Sequence, residues 1–120
     1  MQKRLLDSSI FLVEDVYSAA KCRDWIAFSE AHSHETAPIA QVVIALDVRN
    51  NTRVVLDDAP RAAAIFERLA PHLPTEVEAG WRLCGLNERL RFYRYETGQR
   101  FAWHNDGVFY RSLGSGVVSL

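Results

Sequence analysis

The sequence predicts an α+β domain in which two helices pack on one sheet. Three observations carry this. The pattern types run strand, helix, strands, helix, strands along the chain. Two helix starts are marked by capping residues, Ser18 in one case and Asp57-Asp58 ahead of Ala-Pro60 in the other. Near the end, Leu90 to Tyr95 alternates in the period-2 manner of a strand.

Ser9 to Val13 is a short apolar run between Asp7 and Glu14-Asp15, which reads as a buried strand. Ser18 then caps a helix expected from Ala19 to about Ala31. Its narrow apolar stripe is Ala19, Cys22, Trp25-Ile26 and Ser29, with Lys21, Arg23 and Asp24 opposite. Ser29 to Pro38 is polar and ends in proline, so a loop is expected there. His32 and His34 lie in it without a nearby cysteine or carboxylate pattern, and read as a solvated loop end rather than as metal ligands.

Ile39 to Val48 is continuous and β-branched in its centre, hence a strand; Arg49 to Thr52 forms a turn and Arg53 to Leu56 a short strand. Asp57 and Asp58 place negative charge at the start of the second helix, a structural role that suffices for both. That helix continues through Ala62, Ile65, Phe66 and Leu69, whose spacing makes one apolar face, and Pro71 and Pro74 stop it. Trp81 to Leu86 is a further strand or extended approach, and Asn87-Glu88 a turn. In the strand Leu90 to Tyr95, Leu90, Phe92 and Arg94 share one face while Arg91, Tyr93 and Tyr95 share the other.

With 120 residues the chain is one domain at most, residues 1–120, able to bury a modest core. Its 48% hydrophobic and 24% charged residues are those of an ordinary globular protein. A formal net charge of −1 argues against a nucleic-acid partner, which normally requires a basic face. Two cysteines, Cys22 and Cys84, make no disulfide framework and are expected to be buried free thiols. No apolar stretch approaches a membrane span, and acidic residues interrupt the first apolar run before it could serve as a signal peptide, so the expected setting is cytoplasmic.

The chemistry concentrates in Arg89 to Gly107, an aromatic strand, a glycine turn, a second short strand and then His104-Asn105-Asp106. On extended backbone a histidine and a carboxylate two apart point to the same side. They are two of the three ligands of a 2-His-1-carboxylate iron site, whose open positions admit a chelating cosubstrate and dioxygen. The bland alternative is a surface histidine beside a turn-forming Asp-Gly.

As an assembly, Leu90 to Gly107 with Tyr110-Arg111 resembles the iron(II)- and 2-oxoglutarate-dependent dioxygenases, in particular the prolyl 4-hydroxylase-like branch. Weaker agreement extends upstream: Ile10 to Phe28 looks like the family's opening strand and first helix. Arg49 to Arg53 with Asp57-Asp58 looks like its arginine- and asparagine-bearing segment. The resemblance implies a double-stranded β-helix (a jelly-roll, or cupin-like fold) with helices on its larger sheet. It implies Fe(II) held by His104 and Asp106, 2-oxoglutarate as cosubstrate, ascorbate as an accessory reductant, and hydroxylation of a prolyl residue or small molecule with release of succinate and carbon dioxide. Tyr95 falls at the position that lines the 2-oxoglutarate pocket, and Tyr93 points the same way. Each also fits an amphipathic core tyrosine. Arg91 reads better as a solvated or ion-paired strand residue than as a cosubstrate clamp.

In the family a distal histidine and a basic clamp follow; residues 112–120 contain neither and form a divergent tail after a family-like 1–111. The expectation is therefore a partial jelly-roll with impaired catalysis and with unpaired sheet edges through which copies could pair. His72 sits between two prolines in a segment that the resemblance does not place at the metal. A non-catalytic fragment acting as an interaction module is the alternative function, and a metal-free cupin-like sugar or acid binder a third.

Overall fold

The computed structural model describes residues 1–32, 35–36, 51–107, 109–110 and 118–119. Over these described residues the fold is mixed α+β, with two α-helices and small antiparallel sheets. The expected strand at 39–48, His34, Arg49, Asn50, Arg111 and most of the tail lie outside the described residues.

The chain opens with a hairpin, β1 (Gln2–Leu5) against β2 (Phe11–Glu14). β2 corrects the expected buried strand: Leu12 and Glu14 face solvent, and only Phe11 and Val13 are half-buried. A two-stranded hairpin covers one of its faces at most, so an apolar run alone does not guarantee burial. β1 had no apolar alternation to announce it; its residues are held by pairing, by the Arg4–Glu14 ion pair at 3.0 Å and by the Lys3 ammonium 4.1 Å over the Phe11 ring. Asp15 turns the chain out of β2 at φ 54°, a left-handed conformation that aspartate tolerates better than most residues.

Helix α1 (Ala19–Glu30) begins where Ser18 caps it, its hydroxyl accepting from the Lys21 amide at 3.2 Å. Its inward face is set by its largest side chains. Trp25 and Phe28 are half-buried and Ser29 is buried, whereas Ile26 and Cys22 are exposed. The expected stripe through Cys22 and Ile26 is thus rotated toward Phe28, because burying two aromatic rings outweighs burying a thiol and an isoleucine. Helix α1 ends at Glu30, as expected, so the loop expected from Ser29 starts later, and Glu35–Thr36 forms β3 rather than loop.

β4 (Thr52–Asp57) is the centre of a three-stranded antiparallel sheet in the order β3-β4-β7, with β7 spanning Arg89–Arg94. Directly opposed pairs put Val54 with Phe92 and Leu56 with Leu90 on one face. Val55 with Arg91, Arg53 with Tyr93 and Asp57 with Arg89 form the other. The first face carries the core. Val54 is 3% exposed, and the Phe92 ring lies 5.9 Å from both Trp25 and Phe28. Tyr17 extends the aromatic cluster, 6.2 Å from Trp25.

Helix α2 (Ala59–Leu69) starts at Asp58, whose carboxylate accepts from the Arg61 amide at 2.9 Å, with Pro60 in the first turn. Ala62 is buried at 2% exposure, and Ile65, Phe66 and Leu69 are half-buried, as their spacing requires. The Arg61 guanidinium lies 4.2 Å over Phe28, tying α2 to α1, and Arg68 donates to the Val16 carbonyl and stacks over Tyr17, tying α2 to the segment that leads into α1. A 3-10 turn at Ala70–His72 follows, containing Pro71.

β5 (Glu76–Glu78) and β6 (Trp81–Arg82) form a short hairpin through Gly80, at φ +85°. The expected strand from Trp81 to Leu86 therefore shortens to two residues, and Cys84 is exposed rather than buried. β8 (Phe109–Tyr110) pairs with β9 (Val118–Ser119). Among the described residues the sheets do not close into a barrel.

Candidate functional site

β7 delivers the chain to the candidate site. After Arg94 and Tyr95 a tight turn reverses direction, the Gln99 amide donating to the Glu96 carbonyl at 2.9 Å. Gly98 takes φ +85° at the turn's third position, where a side chain would be strained. The Gln99 side chain returns a bond to the Glu96 amide at 2.9 Å, so the reversal is held from both sides. Phe101 then makes an isolated β-bridge, and 102–107 joins no ladder among the described residues, so the expected second strand is extended backbone only.

His104 and Asp106 do come to the same side. The His104 Nε2 lies 3.4 Å from Asp106 Oδ1. The other ring nitrogen, Nδ1, is 2.7 Å from the Ala102 carbonyl oxygen. A carbonyl only accepts, so Nδ1 carries the proton and donates. Nε2 is then the atom that meets the carboxylate. A lone pair and an anionic oxygen at this distance repel unless a cation stands between them, either a proton on Nε2 or a metal ion. Bonds of about 2.1 Å from each atom to one metal would span the gap with room to spare. Anchoring of the distal nitrogen on a backbone carbonyl is the usual way a ligating imidazole is oriented.

The ring is fixed a third way. Phe101 stacks on His104 with centroids 3.6 Å apart and planes within 7°. The pair stays open to solvent: the side chain of His104 is 39% exposed and that of Asp106 is 97% exposed. An open depression beside them is lined by Arg100, Phe101, Ala102, Trp103 and His104.

The tyrosines are placed elsewhere on the scaffold. Tyr93 lies on β7 opposite Arg53, on the face away from the helices, and is 40% exposed; Tyr95 just follows β7 and is 47% exposed. Neither lines the depression beside His104. Arg91 is exposed on the same face as Tyr93 and adds to the positive field around Asp57, in keeping with a solvated strand residue. His32 lies just past the C-terminus of α1, with its Nδ1 2.8 Å from the Phe28 carbonyl and its ring against Phe28, a helix-end contact. His72 is half-buried at the end of its 3-10 turn. Among the described residues no third histidine, cysteine or carboxylate joins His104 and Asp106. No helix there is long and apolar enough to cross a membrane.

Sequence reasoning passed over Phe101, Trp103 and Ala102, which shape the surroundings of His104. The signal available was the aromatic spacing Phe101-x-Trp103, which sits against the histidine itself. Compared with protein-family models, with curated proteins and with solved structures, the chain matches none.

Proposed function

We propose that the chain carries part of an iron(II)- and 2-oxoglutarate-dependent dioxygenase domain of the prolyl 4-hydroxylase-like kind, within a partial jelly-roll. His104 and Asp106 would hold the metal, and on the family resemblance Tyr95, with Tyr93, would face the cosubstrate from the end of β7 rather than from the depression beside His104. The observation that carries the reading is the His104 Nε2 to Asp106 Oδ1 approach of 3.4 Å with Nδ1 tied to Ala102. It presents an imidazole nitrogen and a carboxylate oxygen at a spacing one metal can share, on a ring whose tautomer leaves Nε2 to ligate. Bound iron would supply oxidative decarboxylation of 2-oxoglutarate coupled to hydroxylation of a substrate. The chain's own part is to orient the imidazole through Ala102 and Phe101 and to keep the carboxylate beside it.

The test is binding of Co(II), as an air-stable stand-in for Fe(II), by the 1–120 chain followed by calorimetry. Binding should be lost in both His104→Ala and Asp106→Ala; binding unchanged in either variant would sink the reading.

A second reading, a non-catalytic interaction module, is favoured by one observation. Leu5, Leu6, Ile10 and Leu12 are all exposed on and around the tip of the first hairpin. Exposed apolar side chains at the end of a two-stranded hairpin are what a partner strand covers. This reading gains if the metal tests fail and the chain self-associates with rising concentration.

A further inference from the structure

Trp25 and Phe28, the half-buried rings of α1, also line a cleft of about 230 Å³ between the two helices, together with Lys21, Asp24 and Arg61. Its aromatic lining is held in place. The two rings meet edge to face at 5.9 Å, and each lies 5.9 Å from Phe92. Arg61 is held as well, bonded to the Asp58 carboxylate and laid over Phe28, so its charge is offset and it serves as a wall. Lys21 and Asp24 are different. They stand one turn apart on α1, both exposed, and neither side chain makes an ion pair or hydrogen bond among the described residues. With the cation on the N-terminal side, the geometry for pairing along the helix is the poorer one. The Trp25 indole N–H is buried without a partner, which is uncommon for a buried donor. The lining therefore carries one cation, one anion and one indole donor that the fold leaves unspent.

We propose that this cleft binds a free aromatic α-amino acid as its zwitterion, with the ring against Trp25 and Phe28, the carboxylate toward Lys21 and the ammonium toward Asp24. A simple anion would be repelled by Asp24 and a simple cation by Lys21, whereas a zwitterion answers both charges at once. Its polarity is set by α1 itself. Lys21 lies in the first turn, which holds no acidic residue, so the positive end of the helix adds to the lysine in favouring the carboxylate there. The rings select an aromatic body. The volume lies below the ~300 Å³ at which pockets for drug-sized ligands begin, which suits a single amino acid and not a peptide. Walls fixed in advance spare the ligand the cost of ordering them. None of the residues around His104 lines this cleft, so the proposal is independent of the dioxygenase reading.

The probe is free L-phenylalanine, compared with phenylalaninamide, which lacks the carboxylate, and N-acetylphenylalanine, which lacks the ammonium. The chain has three tryptophans, so an amide-correlation spectrum shows three indole N–H signals. Trp81 and Trp103 are exposed, and Trp81→Phe and Trp103→Phe identify the Trp25 signal by elimination without touching the core. Phenylalanine should move the Trp25 signal saturably, and both analogues should bind more weakly. At low salt Lys21→Gln and Asp24→Asn should each weaken phenylalanine by about two- to fivefold, the range for an exposed charge pair. Each should also erase one preference, Lys21→Gln that over the amide and Asp24→Asn that over the acetylated acid. Loss of a specific preference is a result that a merely structural role for these exposed side chains would not give. Movement of the Trp81 or Trp103 signal instead, or no saturable movement, would overturn the proposal. So would equal binding of the three compounds, or affinities that neither substitution changes. Co(II) binding is measured on the same variants and should be unaltered in both, which separates failure of this cleft from failure of the metal reading.

Discussion

Arg89 grips Asp57 with two parallel bonds, Nε to Oδ1 at 2.9 Å and Nη2 to Oδ2 at 3.0 Å, across the last opposed pair of β4 and β7. One residue further on, the Asp58 amide donates to the Glu88 carbonyl at 2.8 Å while its carboxylate caps α2. Two adjacent aspartates therefore do two jobs at one corner, closing the sheet and starting the helix. Arg89→Gln should lower the denaturation midpoint modestly at low salt, and the difference should shrink as salt is added, since the pair is exposed and screened.

The same corner sets the acid limb of the stability profile. Hydrogen bonds from Arg89 hold the Asp57 carboxyl below its ordinary value of 3.8, with the charges of Arg89 and Arg91 adding to the effect. The Arg61 amide, then its guanidinium, hold Asp58 below the same value. The folded chain binds these protons less readily than the unfolded chain, so the stabilisation is complete above the ordinary value. It is lost as pH falls through the lowered folded values. Urea midpoints measured from pH 5 downward should fall most steeply below about pH 4. The double variant Asp57→Asn, Asp58→Asn should flatten that limb; an unchanged slope would count against this account.

The core is small and concentrated, which makes its members sensitive. Val54 lies under the Trp25, Phe28 and Phe92 cluster on the helix-facing side of the sheet. Val54→Ala removes two buried methyl-sized groups and should cost about 2 kcal/mol in denaturant titration, at ~0.8 kcal/mol per group plus a cavity contribution. Leu12→Ala, on the exposed side of β2, should change stability by less than about 0.5 kcal/mol.

What could be read from the sequence follows from where local chemistry decides. Ser18 and Asp58 cap the two helices because a side-chain oxygen at that position satisfies an amide locally, whatever the rest of the chain does. The alternation of Leu90, Phe92 and their neighbours fixed the faces of β7, and Gly98 the turn beyond it. Alternation also placed His104 and Asp106 on one side. The misses are features decided at a distance. β1 exists because β2 pairs with it, and Trp81–Arg82 stops early because β5 offers only three residues. The inward face of α1 is chosen by which rings meet Phe92, and no helical period in the sequence alone separates that face from the one through Cys22. For the site, spacing gave the pair, but the carbonyl and ring that orient His104 come from the loop's path.

Exposure of the thiols gives a direct check on that helix orientation. Cys22 is on the outer side of α1 and Cys84 follows the short β6 strand, both in solvent. Both should react with a colourimetric disulfide reagent in the native chain, without denaturant, and at comparable rates. A Cys22 that reacts only on unfolding would return that thiol to the interior and rotate the assigned face of α1.

His104 and Asp106 offer two donors, and no third joins them among the described residues. A metal held by two protein ligands exchanges more readily than one held by three, and an imidazole that has lost its orienting partners binds about tenfold or more less tightly. The 1–120 chain should therefore bind Co(II) weakly and convert little or no 2-oxoglutarate to succinate in the presence of Fe(II) and ascorbate. Phe101→Leu should weaken the metal further by freeing the His104 ring on which Phe101 stacks. Tyr95→Phe should leave metal binding intact and weaken only the cosubstrate. Robust Fe(II)-dependent succinate formation by 1–120 would show that the pair is already a complete working centre and would overturn this expectation.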